Sequence, residues 1–452
     1  MASKLVESCE KRVVVGLGAT GLSCARYLYQ RGLPFAVVDT RAQPPGLDEL
    51  RCEMPDVDFF AGDYPAEIVA SATELIVSPG ISMDAPIVLQ AQAAGADVVG
   101  DIDLFMREAG APVIGITGSN AKSTVTELLG QMARDAQLNV GVGGNLGTPA
   151  LDLLSPERDL YVLELSSFQL ERAGRLGLAV AAVLNVSADH MDRHRTMTAY
   201  QQAKQRIFRG CKKVVINRDE PLTIPLVSTG VEVVSWSMQE PEPGGFGLRH
   251  KAGVEYLCLG LEVLLPVSEL NLFGRHNIAN ALAALALGYS AGLSLSNMQA
   301  SLKTFRGLPH RCELIAEIDG VRFVNDSKGT NIGATEAALS GVGGEHDILL
   351  IAGGQGKGAD FSQLQEAVSR HCKLLILMGE DAPLLQEALS SCVAVLRVSS
   401  LDEAINVAAM KAEAGDVVLL SPACASFDMF SGYVQRGEAF CARVNALTGG
   451  LK

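Results

Sequence analysis

The stretch GITGSNAKST, Gly115–Thr124, comes between an apolar run and a segment typical of a helix. A Lys-Ser-Thr sequence after a glycine-containing turn between strand and helix is typical of phosphate-binding loops, because backbone N–H groups and the helix N-terminus both attract anions. The common pattern G-x-x-x-x-G-K does not match, since Ile116 stands six residues before Lys122 and Ala121 stands directly before it. The stretch therefore predicts an α/β fold with a phosphate site of unusual spacing.

Short runs of β-branched residues alternate with helix-like segments along almost the whole chain. Runs such as RVVV, ELIV, DILLI and DVVLL predict buried parallel strands, and each is soon followed by a small polar residue or glycine. The region from about Val231 to Leu270 differs, because it contains the break EPEPGGFG and the alternating VEYLCLGLEVLL. We expect a small antiparallel portion there, followed by a helix in the Ala/Leu-rich segment His276–Leu293.

Two breaks divide the chain into domains. One lies near Gly100, and the other is the Gly-Pro segment FRGLPHR at Phe305–Arg311. The length of 452 residues suits about three domains. We therefore expect three α/β domains at residues 1–100, 101–307 and 308–452.

Composition argues against several classes of protein. The 37 basic and 51 acidic residues give a net charge of −14, which disfavours nucleic acid or an anionic membrane as the main partner. The ten cysteines, from Cys9 to Cys441, include no C-x-x-C pair, so we expect reduced, mostly buried thiols. The N-terminus lacks an apolar signal region, and no apolar stretch reaches the ~18 residues of a membrane span. These features predict a cytoplasmic protein without a membrane span.

A second glycine loop, GLGATG at Gly16–Gly21, follows a predicted strand and precedes a predicted helix. With Asp39 about 20 residues further on, it matches the dinucleotide-binding fingerprint. Taken alone, the pattern allows NAD or NADP, another nucleotide, or glycines with a purely structural role. Two phosphate loops in one chain disfavour a simple dehydrogenase, which needs only one.

The loop Gly118–Thr124 predicts a site for the β- and γ-phosphates of a nucleotide, with Lys122 as an added charge and Ser123 or Thr124 as Mg²⁺ ligands. An ordinary strand–helix turn is the alternative. Alanine fits at position 121 if that residue has right-handed helical dihedrals, because only a positive φ or a close phosphate requires glycine. On this hypothesis, Ala121→Gly leaves the affinity for ATP nearly unchanged.

Several motifs occur in the order that is found in the Mur ligases of peptidoglycan synthesis. From Val13 to Phe440 the chain resembles this family in GITGSNAKST, ELSSFQL, NVSADHMDRH, GRHNIANALAA, GLPHR, VNDSKGTN, GGQGKGADF and LLSPACASFDMF. The segments GLGATGLS, VVDTRAQPP and SPACASFDMF are most similar to the members that add D-glutamate to UDP-N-acetylmuramoyl-L-alanine. In the family's phosphate loop, glycine stands where this chain has Ala121.

The resemblance implies a three-domain α/β fold. It consists of a Rossmann-like N-terminal domain that binds UDP, a central P-loop ATP-binding α/β domain with a small antiparallel portion, and a Rossmann-like C-terminal α/β domain that binds the amino acid. The implied reaction joins a carboxylate to an amine through an acyl phosphate. ATP, two Mg²⁺ ions and a carbamate formed by CO₂ on Lys204 are the implied cofactors. The implied substrates are UDP-N-acetylmuramoyl-L-alanine and D-glutamate, and we expect a monomer.

The resemblance also assigns roles to individual residues. The catalytic residues are Lys122, His190 and Lys204. The expected contacts of ATP are Gly118, Ser119, Asn120, Ala121, Lys122, Ser123, Thr124, Asn280 (adenine), Arg311 (phosphate) and Asp326 (ribose). Those of the UDP substrate are Gly18, Ala19, Thr20, Gly21, Asp39, Thr40, Asn145, Ser166 and Gln169. Those of D-glutamate are Lys328, Thr330, Lys357, Ser426 and Tyr433, and Tyr433 stands where the family has Phe. The expected metal ligands are Ser123, Thr124, Glu164, His190 and Lys204.

Three alternatives of different kinds stay open. The chain could be a relative that adds L-alanine to UDP-muramic acid or glutamate to folate, an NAD-dependent oxidoreductase, or a regulatory nucleotide-binding module without catalysis. Single residues also have ordinary structural interpretations, such as a helix cap for Asn280 or an ion pair at a domain boundary for Arg311. The motifs around His190, Lys204 and Lys357 weigh against the oxidoreductase and the regulatory module.

Overall fold

The computed structural model describes residues 11–62, 66–272 and 274–449, and these residues fold around three sheets. Each sheet is wholly or mostly parallel, and helices cover its faces because parallel strands are joined by helical crossovers. The three-domain α/β fold that the sequence predicts is thereby confirmed. The first sheet ends at Val99, the second runs from Val113 to Pro266, and the third begins at Glu313. The boundaries at 100/101 and 307/308 stay predictions.

The first sheet contains β1 (Arg12–Val15), β2 (Phe35–Asp39), β3 (Asp58–Ala61), β4 (Glu74–Val77) and β5 (Asp97–Val99), with helices α1 (Ala19–Gln30), α2 (Leu47–Glu53), α3 (Ala66–Ala70) and α4 (Pro86–Ala93). Its parallel strands have the order β3-β2-β1-β4-β5. Because the order reverses between β1 and β4, the crevice at their carboxyl ends is the usual ligand site of such a sheet. The GLGATG segment, which follows β1 and includes the first residues of α1, lies at this crevice.

The central sheet contains β6 (Val113–Thr117), β7 (Val140–Gly144), β8 (Leu160–Glu164), β9 (Val180–Val183), β10 (Lys213–Asn217), β11 (Glu232–Trp236), β12 (Phe246–Lys251), β13 (Val254–Leu259) and β14 (Glu262–Pro266). Its order is β14-β13-β12-β11-β10-β9-β6-β8-β7. β12, β13 and β14 pair antiparallel, as expected for this region. β6 is wholly buried between β8 and β9, so the phosphate loop leaves the sheet at its centre.

The helices of the central part are α5 (Asp101–Glu108), α6 (Lys122–Asp135), α7 (Ser167–Arg172), α8 (Met191–His194), α9 (Met197–Gln205), α10 (Arg275–Ser290) and α11 (Leu295–Thr304), with 3-10 turns at Ala150–Leu153, Arg206–Phe208, Pro221–Thr223 and Val267–Glu269. α10 confirms the helix expected from the Ala/Leu-rich segment. Its side chains are buried almost all round, because it packs against α6, against the sheet and against a helix of the third part of the chain.

The third sheet contains β15 (Glu313–Ile318), β16 (Val321–Asn325), β17 (Ile348–Gly353), β18 (Cys372–Met378), β19 (Val395–Arg397) and β20 (Val417–Leu420). Its helices are α12 (Ile332–Val342), α13 (Gln365–His371), α14 (Ala382–Leu389), α15 (Leu401–Lys411) and α16 (Tyr433–Gly449), with a 3-10 turn at Phe361–Leu364. The order is β15-β16-β20-β17-β18-β19, and β15 alone is antiparallel to its neighbour. The loops after β16, β20 and β17 therefore leave adjacent strands at the same edge.

Two expectations drawn from composition can be compared with this structure. Cys9 lies outside the described residues, whereas the nine described cysteines are unpaired and six of them are buried, as expected for reduced thiols. Across the described residues, no helix is both long enough and apolar enough to cross a membrane.

A buried guanidinium joins the first sheet to the central part of the chain. Arg172, at the end of α7, donates from Nη1 to the carbonyl oxygens of Val77 (3.0 Å) and Ser78, and from Nη2 to those of Pro79 (3.2 Å) and Ile81 (3.1 Å). Its side chain is wholly inaccessible to solvent, and burial lowers its pKa to about 10. The guanidinium therefore remains charged at neutral pH and holds the loop that follows β4.

We predict that Arg172→Met weakens this junction. The substitution removes a buried charged donor from four carbonyl groups, of which only those of Ser78 and Ile81 keep a bond, from Ile81 N and from Arg193, that does not involve Arg172 or a strand partner. We therefore expect the free energy of unfolding to fall by about 3 kcal/mol. Chemical denaturation of the full chain measures this change. Arg175→Met, at an exposed position three residues away, is the control and should change stability by less than about 0.5 kcal/mol. Equal effects of the two substitutions would contradict the role given to Arg172.

Candidate active site

The phosphate loop is held in place by the loop that follows β9. Ser119 N–H donates to Asn185 O (3.0 Å), and its hydroxyl donates to Ser187 O (2.9 Å). The N–H of Asn120 donates to Asn185 Oδ1 at 2.8 Å. These bonds use side chains and backbone from two neighbouring strand ends, so the loop has one defined shape without relying on glycines alone.

Ala121 does not have the right-handed dihedrals expected from the sequence. Its φ is 66° and its ψ is −8°, a left-handed conformation at the residue that precedes α6. That expectation was wrong because the contacts of Asn120 and Asn185, which are remote in sequence, fix the path of the chain into the helix. The conformation is one that glycine adopts without strain, whereas alanine there costs about 1–2 kcal/mol.

Two lysine amines meet at one backbone oxygen. Lys122 Nζ donates to Gly118 O at 2.8 Å and to Ser119 O at 2.9 Å, and Lys204 Nζ donates to the same Gly118 O at 2.7 Å. Lys204 is 1% exposed, and its amine also lies 4.4 Å from the centre of the Tyr200 ring. Burial, with the neighbouring charge of Lys122, lowers the pKa of Lys204 well below its usual value. The sequence-predicted pair is thus brought together at the start of the phosphate loop.

Glu164 has an acceptor that no group of the described residues satisfies. It ends β8 and is 2% exposed; Oε1 accepts a hydrogen bond from Asn145 Nδ2 at 2.6 Å, while the buried Oε2 has no partner in the described part of the chain. A buried carboxylate oxygen without a partner is costly and fits a cation. Among the described residues, no three His, Cys, Asp or Glu side chains form a ready metal cage. Mg²⁺ does not require one, since it completes its shell with water and phosphate oxygens.

His190 is the residue that precedes α8. Its Nε2 is 3.6 Å from Asp189 Oδ2, and its ring packs 4.9 Å from that of Phe168. Burial lowers the pKa of His190, so the ring is mostly neutral at pH 7 and can offer a nitrogen lone pair to a metal. Asp189 also accepts a hydrogen bond from Asn331 Nδ2 at 3.1 Å, which brings the third part of the chain against this loop.

Two neighbouring cavities collect most of the predicted residues. The larger, about 930 Å³, is lined among others by Ser119, Asn120, Ala121, Lys122, Ser123, Asn145, Glu164, His190, Arg311, Lys328, Thr330, Lys357 and Tyr433. The smaller, about 220 Å³, is lined among others by Asn120, Ala121, Thr124, Asn280, Arg311, Asp326 and Lys328. Because the two share Asn120, Ala121, Arg311 and Lys328, a nucleotide in the smaller cavity can direct its phosphates into the larger one.

Three residues predicted to contact ATP, Asn280, Arg311 and Asp326, line the smaller cavity. Asn280 is nearly buried, and its Nδ2 donates to Asn277 Oδ1 at 2.8 Å, which leaves its own carbonyl oxygen free to accept. Arg311 donates from Nη2 to Ser123 Oγ at 2.7 Å, directly at the phosphate loop. Burial raises the pKa of Asp326 to about 6, although a hydrogen bond from Ser421 opposes the rise.

Four of the five residues predicted for D-glutamate line the larger cavity. Lys328 Nζ lies 3.7 Å from the centre of the Tyr433 ring, so tyrosine offers this amine the same aromatic face as the family's Phe. Burial, and then the charge of Arg311, lower the pKa of Lys328 to about 8. The fifth residue, Ser426, is 2% exposed and does not line this cavity.

Of the nine residues predicted for the UDP substrate, Asn145 lines the larger cavity, whereas the other eight line neither cavity. At Gly18 an added Cβ would meet nothing within 4 Å, so a ligand can approach there, whereas at Gly21 it would strike the Gly16 carbonyl. Asp39 is buried and accepts hydrogen bonds from Leu17 N (2.7 Å) and from Arg41. Burial alone would raise the pKa of Asp39, but these bonds outweigh it and lower that pKa. Ala19 and Thr40 are exposed and Thr20 is half-buried, beside the crevice at the carboxyl ends of β1 and β4.

Ser166 and Gln169 form a capping box at the start of α7. Ser166 Oγ accepts from Gln169 N (3.1 Å), and Gln169 Oε1 accepts from Ser166 N (3.0 Å). The remaining amide nitrogen of Gln169 donates to Asp101 Oδ2 at 2.8 Å. These bonds satisfy the buried Gln169 within the protein, while Asn145 is exposed at the cavity and donates from Nδ2 to Glu164 Oε1.

Sequence reasoning missed the residues that hold the site together. Asn185 stands in the motif NVSADHMDRH, where its position after a strand was a usable signal. Asp189 and Asn331 also stand in recognised motifs, but their pairing joins loops far apart in sequence. Nothing local distinguishes Arg172 from a surface arginine.

We predict that Ala121→Gly stabilises the protein. The gain from removing left-handed strain exceeds the entropy lost by a more flexible unfolded chain, so we expect roughly 0.5–1 kcal/mol in the free energy of unfolding. Chemical denaturation measures it. Ala133→Gly, within the right-handed interior of α6, is the control and should destabilise by about 1 kcal/mol. A similar loss at both positions would contradict the left-handed assignment.

Comparison with known proteins places this geometry in a family. Three family models match in succession: Mur ligase MurD-like, N-terminal domain, at residues 10–100; Mur ligase middle domain at 116–288; and Mur ligase, glutamate ligase domain, at 310–424. The UDP-N-acetylmuramoylalanine--D-glutamate ligase of Pseudomonas aeruginosa is 53% identical over 98% of this chain and 99% of its own length. The proteins of that name from Marinobacter nauticus and Legionella pneumophila (strain Paris) are 52% and 50% identical over nearly all of both chains.

Solved structures with low sequence identity share the fold. A pseudomurein peptide ligase type C from Methanothermus fervidus matches with a TM-score of 0.62 at 18% identity, covering 96% of this chain and 100% of its own. UDP-N-acetylmuramate-alanine ligase from Thermotoga maritima matches with a TM-score of 0.56 at 17% identity, covering 96% and 99%. The successive family models and the full-length identity of about half the residues lead to one conclusion: the chain belongs to the Mur ligase family.

Proposed function

We propose that this chain is an ATP-dependent ligase that adds D-glutamate to UDP-N-acetylmuramoyl-L-alanine through an acyl phosphate, in the synthesis of peptidoglycan precursors. The relatives at 50–53% identity carry the name of that activity over their full length. The observation that carries the proposal is the larger cavity, because the phosphate loop and the lysines of the last domain line it together.

The reaction requires two steps at one place. An oxygen of the L-alanine carboxylate attacks the γ-phosphorus of ATP, and ADP leaves; the amine of D-glutamate then attacks the acyl carbon, and phosphate leaves. In the first step two anions approach, and each pair of unit charges ~4 Å apart costs about 4 kcal/mol at an effective dielectric of ~20. Lys122, Arg311 and Lys328 line the cavity and can offset this repulsion. Lys328, Thr330, Lys357, Ser426 and Tyr433 are the proposed contacts of D-glutamate.

Mg²⁺ is proposed as the metal, with two ions expected. Ser123, Thr124 and Glu164 would hold one, and the unpartnered Glu164 Oε2 supports this assignment. His190 and a carbamate on Lys204 would hold the second. Bound Mg²⁺ neutralises charge on the phosphate oxygens. The chain's own groups orient the reactants: we assign Asn280 to adenine, Asp326 to ribose and Arg311 to phosphate.

The surroundings of Lys204 favour a carbamate. Only a neutral amine attacks CO₂, and the depressed pKa of Lys204 supplies it. The C–N bond forms with loss of one proton, and the product keeps one N–H that can still donate to Gly118 O. The charge at Lys204 becomes negative, so its repulsion of Lys122 becomes attraction. A carbamate on Lys204 therefore removes the repulsion between the two side chains that donate to Gly118 O.

The remaining proposals concern the UDP substrate, domain motion, the oligomeric state and the location of the protein in the cell. Gly18, Ala19, Thr20, Gly21, Asp39 and Thr40 are assigned to UDP, and Asn145, Ser166 and Gln169 to the muramoyl-alanine portion. Three domains that share one site imply closure during turnover. We expect the protein to act as a monomer in the cytoplasm.

Phosphate release from ATP tests the function. With UDP-N-acetylmuramoyl-L-alanine present, we expect release with D-glutamate, and at least about tenfold less with L-glutamate or other amino acids, because two anchored carboxylates fix the stereochemistry. Release with UDP-N-acetylmuramate and L-alanine, or with a folate and glutamate, would instead assign another branch of the family. Binding of ATP without any release would favour a regulatory module.

We predict that Lys204→Ala abolishes this turnover, since it removes both the amine and the carbamate. Short carboxylic acids such as acetate or propionate should restore part of the activity by placing a carboxylate in the space left free. Lys204→Arg, which cannot form the carbamate and fills that space, is the control and should show no rescue. Near-normal turnover of Lys204→Ala would refute the role of Lys204.

A further inference from the structure

A second buried guanidinium lies beneath the proposed amino-acid site. Arg436, in the first turns of α16, is 1% exposed and is among the largest fully buried side chains described. Within the described residues, no carboxylate forms an ion pair with it. A buried charge without such a partner requires hydrogen bonds of good geometry to offset its desolvation.

All of its acceptors belong to three loops. Nε donates to Ser327 Oγ at 3.1 Å, and Nη2 donates to Ser327 O at 2.9 Å. Nη2 also donates to Cys424 O at 3.2 Å, and Nη1 to Gly353 O at 3.5 Å. These residues follow or end β16, β20 and β17, which lie side by side in the sheet.

Each of the three loops carries a proposed contact of D-glutamate. Lys328 directly follows Ser327, Ser426 comes two residues after Cys424, and Lys357 comes four residues after Gly353. One guanidinium therefore determines the relative positions of groups that come from three separate parts of the chain.

The helix that carries Arg436 adds a fourth contact. Tyr433 lies three residues earlier on α16, and its carbonyl accepts a hydrogen bond from Ser327 Oγ at 2.8 Å. Its ring is the one that faces Lys328 Nζ. A displacement of Arg436 would thus also move the aromatic face against which Lys328 is held.

We propose that Arg436 is a positioning residue for the amino-acid substrate, because its guanidinium holds three loops and Tyr433 in the arrangement that binds the substrate's carboxylates. This inference rests on the proposed function of the same site. Arg436 itself is buried and does not line the cavity, so it acts through its neighbours.

The chemistry requires arginine at this position. The planar guanidinium reaches Ser327 from Nε and Nη2, Cys424 from Nη2 and Gly353 from Nη1, whereas a lysine amine is a single point of donation. Burial lowers the pKa of Arg436 to about 10. The group remains charged at neutral pH, and its hydrogen bonds keep the strength of charged donors.

Steady-state kinetics of the full chain with Arg436→Lys test the inference. We expect the KM for D-glutamate to rise tenfold or more, while the KM values for ATP and for the UDP substrate stay within twofold. Ser327→Ala removes one acceptor of Arg436 and the donor to the Tyr433 carbonyl, and it should raise the KM for D-glutamate about threefold. That milder variant keeps the test decisive if Arg436→Lys does not fold.

Arg443→Lys is the matched control. Arg443 lies two turns further along α16 and donates to Asn406 on α15, away from the three loops. This variant should leave all three KM values unchanged even if it lowers stability. Parallel changes in the three KM values of Arg436→Lys, or loss of stability with every KM unchanged, would overturn the positioning role.

The wild-type protein separates this inference from the function on which it rests. If it turns over a different amino acid, the proposed function fails, and the same variants are then measured with that amino acid. A selective rise in its KM would still support the role of Arg436. A wild-type chain that uses D-glutamate and variants without a selective effect would refute the role alone.

Discussion

The carbonyl oxygen of Gly118 accepts from two lysine amines, and the arrangement of the active site depends on how their charges are balanced. Two ammonium groups so close repel each other, which is one reason that the pKa of Lys204 is depressed. Negative charge nearby must offset the charge of these amines. The unpartnered oxygen of Glu164 and the phosphates of a nucleotide supply that negative charge. The phosphate loop can therefore attract anions before any substrate binds. The hydrogen bond from Asn120 N to Asn185 Oδ1 holds the loop in this conformation.

The sequence predicted the features that local patterns determine. Buried strands, the two glycine loops, the antiparallel portion and α10 follow from periodicity and from residues that are neighbours in the chain. The motifs also contain most of the residues that line the two cavities. The prediction for the backbone of Ala121 was wrong for a physical reason. Contacts with a loop more than 60 residues away set its dihedrals, and no local preference of alanine reveals them.

The two buried arginines could not be predicted from the sequence at all. Arg172 bonds carbonyl groups 91–95 residues earlier, and Arg436 bonds groups up to 109 residues earlier. Both stand in helical segments where an arginine is usually solvated. Their roles depend on how the three sheets and their loops are brought together, which only the folded chain shows.

The bonds of Arg172 to the loop after β4 have one more consequence. Every acceptor on that loop is a main-chain oxygen, which any amino acid provides. Residues 77–81 can therefore change in the course of evolution without loss of the junction, provided that the backbone keeps its path. Selection falls on Arg172 and on Arg193, which donates to Ile81 O at 2.8 Å, while the side chains of the loop other than Ser78, whose Oγ donates to Gly16 O, are left free to vary.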